Sequence, residues 1–154
     1  MDFSEASLPK PLAHLYRYWQ AKRGDRLMPS RTDINPSEMQ AFLPHTMLID
    51  VVFDAQRGTR FRLRLVGTHV VDGYGVEVTG KYLDELDLGE QRDKLIEACL
   101  HSVKRKKPAY RSGELRHHIT NENIHYERLG LPLSSDGETV NILLIGSLLQ
   151  RVPG

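Results

Sequence analysis

Four side chains that could hold a small molecule lie close together in residues 59–83. Thr68 and His69 follow an alternating strand pattern directly, and Tyr74 and Tyr82 lie among the glycines that come next. Ligand pockets are mostly apolar with a few polar groups, and a threonine, a histidine and two tyrosines supply that mixture. We therefore predict that these four residues contribute to a pocket wall. The alternative is that they fill the core and leave no cavity.

A second wall of this pocket would come from a helix over residues 90–107. Leu95, Cys99 and Val103 recur on one face of the segment, and Pro108 ends it. We therefore add Leu95 and Cys99 to the predicted ligand-binding residues. Cys99 is the single cysteine of the chain, and thiols pack well in apolar cores. We expect a buried structural thiol, because a reactive one needs exposure and a neighbouring base.

Three histidines late in the chain, including His117, raise the question of a metal site. A turn at residues 121–122 would place His118 opposite His125, and Arg116 opposite Glu127, in paired strands. Two imidazoles fall short of the four ligands that structural zinc takes. We therefore predict no metal site and treat these histidines as exposed strand residues.

Sequence motifs for catalysis and common cofactors are missing. The glycine spacing in residues 73–80 does not fit the dinucleotide fingerprint, and there is no Walker lysine motif and no Gly-x-Ser-x-Gly elbow. His69 as a heme ligand is a minor alternative, so the cofactor is left unknown. We predict that the protein is not an enzyme; a small enzyme using His69 or His118 is a distant alternative.

Composition limits the range of partners. The chain has 154 residues, of which 40% are hydrophobic and 27% charged, and its net charge is +1. These values are typical of one globular domain and give no overall attraction to nucleic acid or anionic membranes. The basic run at residues 104–107 ends a predicted helix, where cations complement the helix dipole. With no signal peptide, no membrane-spanning run and no disulfide, we expect a cytoplasmic protein.

The predicted elements begin with a helix over residues 8–23. Leu12, Leu15, Tyr16 and Trp19 form one stripe on it, and Gly24 stops it. Residues 35–38 have the pattern of a helix start, with an N-cap asparagine, a first-turn proline and a glutamate. The short helix that they open is expected to reach residue 42.

Strands are predicted at residues 46–53 and 59–66, joined by a turn at 54–58, and at 109–120, 123–133 and 138–149. The last strand shows no polar alternation, so both of its faces should be covered. We predict an α+β fold with a five-stranded antiparallel sheet in the order 2-1-5-4-3. Helices are inserted between strands 2 and 3, and the N-terminal helix, from the same chain or a second copy, covers the other face. The whole chain is one domain, with residues 1–27 as an N-terminal extension and 28–154 as the core.

Several motifs occur in an order and spacing that are similar to a known family. They are Tyr18-Trp19 with Arg23-Gly24, PSRTDINP at residues 29–36, FRLRLVGT at 61–68, GVEVTG at 75–80 and LPLS at 131–134. With these motifs the chain resembles the PAS-like sensor domains. More narrowly, it resembles the family of short single-domain bacterial PAS proteins formerly catalogued as a domain of unknown function.

The resemblance implies a domain that binds a small molecule or a signalling protein and passes on a signal. We predict a stand-alone cytoplasmic PAS-type sensory domain that acts in trans, since the sequence carries no output domain. We also predict a homodimer through the first helix, with Leu12, Leu15, Tyr16 and Trp19 in the interface. The alternative is a protein-interaction adaptor with a filled core and no ligand.

Overall fold

The computed structural model describes residues 3–153 and contains one sheet with helices against both faces. The α-helices are α1 (Lys10–Arg23), α2 (Thr68–Tyr74) and α3 (Glu90–Arg105). The strands are β1 (Thr46–Asp54), β2 (Gly58–Val66), β3 (Ala109–Arg116), β4 (Asn123–Leu133) and β5 (Ile142–Arg151). Short 3-10 helices occupy Glu5–Ser7, Arg31–Asp33, Pro36–Met39, Leu43–His45 and Leu83–Glu85.

The order of the strands is β2-β1-β5-β4-β3, and the pairs are antiparallel. This confirms the predicted α+β fold and its strand order. The β1–β2 hairpin closes as its turn residues require: the Asp54 carboxylate accepts hydrogen bonds from the backbone N–H groups of Gln56 and Arg57. Gly58 then takes the left-handed φ of 77°, a conformation that glycine adopts at little cost.

The central strand β5 is buried on both faces. On the inner face of the sheet, Leu143 and Ile145 lie against α3. On the outer face, Gly146 allows α1 to approach closely, because a Cβ at this position would lie 2.6 Å from Cδ2 of Leu15. Ile142 through Ile145 are all less than 5% exposed, as the unbroken apolar pattern of this strand predicts.

Helix α1 packs on the outer face of its own chain. Leu12, Leu15 and Trp19 are at most 3% exposed, and the indole N–H of Trp19 donates a buried hydrogen bond of 2.9 Å to the Pro132 carbonyl. Three of the four residues predicted for a dimer interface are thus buried within one chain, while Tyr16 is half-buried. The dimer stays a prediction.

Three helical segments differ from the prediction. Helix α1 begins at Lys10, because Pro9 takes the N-cap position. Asn35 does cap the next segment, accepting from the N–H of Ser37 at 3.0 Å, but only a single stretch of 3-10 helix follows it. Helix α3 ends at Arg105, where Lys106 adopts a left-handed conformation.

The predicted register of the β3–β4 hairpin is wrong. Ile124 pairs with Leu115 instead of Ile119, a slip of four residues, and His125 pairs with Glu114. The cause is a loop at residues 117–122 in which the His117 imidazole accepts from the N–H groups of Ile119 and Thr120. Strand β3 therefore ends at Arg116, and His118 does not face His125.

Replacing Trp19 by phenylalanine should lower the free energy of unfolding by about 1–3 kcal/mol, because the buried Pro132 carbonyl loses its donor. Urea denaturation measures this change. Tyr16→Phe, on the same helix but half-buried, is the matched control and should cost less than half as much. Equal stability of Trp19→Phe and the unmodified protein would show that α1 is not held in this way.

Candidate functional site

Three of the six residues predicted for the ligand site lie on the helices that cover the inner face of the sheet. Tyr74 ends α2, and Leu95 and Cys99 lie on α3; all three are buried. Tyr74 and Leu95 line one apolar space of about 10 Å³, and Leu95 and Cys99 line a second of about 20 Å³. A space of this size holds no more than a water molecule. A ligand at this position would have to displace side chains.

The other three predicted residues lie away from these spaces. Thr68 is exposed at the start of α2. His69 is half-buried, with its ring 4.1 Å from that of His45, and its Nε2 accepts from the N–H of Leu149 at 3.4 Å. Tyr82 lies under the guanidinium of Arg60, 3.9 Å from the ring centre. The structure does not bring the six residues into one cavity, and their part in ligand binding stays a prediction.

The contacts of Arg60 explain why Tyr82 lies apart from the other predicted site residues. Its guanidinium donates two hydrogen bonds, of 2.8 and 2.9 Å, to the carboxylate of Asp84. Asp84 raises the pKa of Arg60 and has its own pKa lowered by the same contact. Bidentate pairing of this kind fixes the orientation of both groups. Tyr82 thus belongs to a surface cluster that ties β2 to the segment after α2.

The His45–His69 pair is the clearest titratable contact near α2. Burial, and secondarily the neighbouring His69, lower the pKa of His45 below its ordinary value. Both effects disfavour a positive charge on the ring. The folded protein therefore favours the neutral form of His45.

Stability should fall as the pH drops through the range below about 6.5, the unfolded-state pKa of histidine. The folded pKa of His45 is lower, so the unfolded chain takes up the proton first and the stabilisation present above pH 6.5 is lost on acidification. Urea denaturation at several pH values measures this. His45→Gln should show a smaller loss than the unmodified protein, whereas His118→Gln, an exposed control, should match it. An unchanged pH profile for His45→Gln would contradict the assignment.

Cys99 is chemically protected. Burial raises the pKa of its thiol to about 12, with a small opposing effect from the charge of Arg128. At pH 8 only on the order of one thiol in ten thousand would be ionised, and the thiolate is the reactive form.

Labelling of Cys99 by iodoacetamide should be slower by more than about a hundredfold in the native protein than in urea. Because the chain has no other cysteine, the mass increase reports this residue alone. Native labelling within tenfold of the denatured rate would show that the thiol is accessible.

Arg128 is the residue that the sequence interpretation missed. It lies on the inner face of β4 and is only 5% exposed. Its Nη2 donates a hydrogen bond of 2.8 Å to the hydroxyl of Tyr74, and its guanidinium lies 4.4 Å from the ring centre of Tyr126. The alternation of Leu129, Leu131 and Leu133 on the outer face was a usable signal, since it places Arg128 on the opposite face.

Arg128 also forms the floor of an open groove of about 510 Å³ between α3 and the β3–β4 hairpin. We call this the basic groove. Helix α3 contributes one wall, which includes Lys94, Glu97 and Lys104, and the hairpin contributes Arg111 and Tyr126 as well as Arg128. Its volume is within the range of small-molecule sites.

Among residues 3–153, no group of three or more histidine, cysteine, aspartate or glutamate side chains is placed to hold a metal ion. No helix in the same part of the chain is long and apolar enough to cross a membrane.

A PAS domain family model matches residues 8–149, nearly the whole chain. The chain therefore belongs to this PAS domain family, which confirms the resemblance found in the sequence. PAS domains are generally sensory and signalling modules, and the five-stranded sheet with its helices is their fold.

Solved structures agree with the fold. The PAS domain of BvgS from Bordetella pertussis is 16% identical, with a TM-score of 0.52, over 77% of this chain and 86% of that one. The LOV protein of Rhodobacter sphaeroides is 9% identical, with a TM-score of 0.52, over 75% of this chain and 68% of that one. The match thus spans about two thirds of the LOV chain. No curated protein sequence matches significantly.

Proposed function

We propose that this protein is a cytoplasmic sensory or regulatory module, not an enzyme, that binds a small ligand or a signalling partner and acts in trans. The observation that carries the proposal is the PAS family match over residues 8–149. The basic groove supports the ligand-binding part, because it offers about 510 Å³ lined by polar and aromatic side chains.

The adaptor remains the second candidate, and one observation favours it. The two spaces on the inner face measure only about 10 and 20 Å³, so the core is filled in this conformation. An adaptor would use surface contacts instead, and exposed apolar side chains such as Phe53 (60%) and Ile119 (76%) are available for them.

A homodimer through α1 is also part of the proposal. Because Leu12, Leu15 and Trp19 are buried against their own sheet, they can join two copies only if the helices are exchanged. Gly24, which follows α1 with a φ of 60°, is where the chain would change direction. Exchange of an identical element is a low-cost route to a dimer.

Native mass spectrometry of freshly purified protein, compared with the same sample denatured, tests the proposal. We expect a small-molecule adduct that is lost on denaturation, and a dimer mass for the native protein. The sensor proposal would be overturned in favour of the adaptor by a bare chain in repeated preparations, together with no thermal shift across a metabolite panel. A monomer at all concentrations would refute the dimer.

A further inference from the structure

We propose that the basic groove binds the oxyanion of a small molecule, a carboxylate or a phosphate, and that Arg128 and Arg111 hold it. This inference rests on the proposed function, to which it adds a site and a chemical class of ligand.

The lining of the basic groove is predominantly positive. Four permanent cations line the groove, and the single carboxylate among its lining residues is that of Glu97; the cations are Lys94, Lys104, Arg111 and Arg128. Within residues 3–153, none of these four cations lies within 4.0 Å of a carboxylate oxygen. Two arginines of β2 behave differently, since Arg60 pairs with Asp84 and Arg64 with Asp50.

Two of these cations occupy directly opposed strand positions. Arg111 on β3 is the cross-strand partner of Arg128 on β4. Side chains at directly opposed positions have Cβ atoms about 5 Å apart, and like charges there are destabilising. An anion between the two guanidinium groups would turn this repulsion into a pair of favourable contacts.

Arg128 is buried. The residue is only 5% exposed, and its Nε–H has no hydrogen-bond partner among the described residues. The Tyr74 hydroxyl and the Tyr126 ring provide neutral contacts only. A buried charge without a counterion is costly, and the fork of a guanidinium matches the two oxygens of a carboxylate or phosphate. Arg128 lines the open groove and has no counterion among the described residues, which points to such a ligand.

The shape of the groove favours a small molecule. A Cβ at Gly113 would lie 2.8 Å from the Tyr126 hydroxyl, so glycine lets this ring lie flat across the hairpin beside Arg128. The ring then forms an aromatic surface next to the anion site. Because the net charge of the chain is only +1, the chain has no overall attraction to an extended polyanion.

The protein is titrated with citrate, succinate, inorganic phosphate and pyrophosphate at constant ionic strength. Binding is measured by calorimetry and by the shift in melting temperature. We expect at least one of these probes to bind, and the carboxylate and phosphate arms to distinguish the source of the oxyanion. Arg128→Met should weaken binding about tenfold or more, the usual effect of losing a charge-assisted contact. Its unliganded form should be no less stable, because an uncompensated buried charge is removed.

Two further variants make the result decisive. Arg111→Gln changes a half-buried side chain and should weaken anion binding about fivefold or more. This variant tests the anion site if Arg128→Met fails to fold. Arg62→Gln, an exposed arginine on β2 outside the groove, is the matched control and should bind within twofold. The inference is overturned if no probe binds, or if all variants bind equally. A neutral adduct in native mass spectra, with no response to any anion, would sink this inference while leaving the sensory function intact.

Discussion

Burial of β5 on both faces is the constraint on which the other elements depend. A central strand with Leu143 and Ile145 on one side and Leu144 on the other is stable only if each side meets an apolar layer. Helix α3 provides the inner layer and α1 the outer one. The close approach of α1 at Gly146 explains why this N-terminal helix is part of the core, since without it the outer face of the sheet would be open to water.

The inner and outer faces of the sheet are built differently. The outer face is apolar and closed, with Leu129, Leu131 and Leu133 each fully buried. The inner face is mixed, because the same strand β4 carries Arg128 among its inward positions. Within this one sheet, the outer face thus provides stability and the inner face carries polar side chains, an arrangement typical of binding sites placed on a rigid framework.

The strand order and the long helices could be predicted because each depends on many residues of one type. The β3–β4 register could not, since it depends on local contacts of a few residues: the His117 imidazole and backbone hydrogen bonds within residues 117–122 hold the loop that shortens β3. Nor could the site be predicted fully. Proximity along the sequence groups Tyr82 with Tyr74, but Arg60, held by its ion pair with Asp84, keeps Tyr82 in a separate surface cluster. Arg128 lacked any motif, and its unpaired state is visible only in three dimensions.

Tyr74 connects the floor of the basic groove to a surface loop by hydrogen bonds. Its hydroxyl accepts from Arg128 on the groove floor, while its backbone carbonyl accepts from the N–H of His118 at 2.7 Å. One residue at the end of α2 thus spans the distance between a buried guanidinium and the loop that carries Ile119, an apolar side chain that is 76% exposed. The groove floor and this surface loop are therefore joined through one hydrogen-bonded residue.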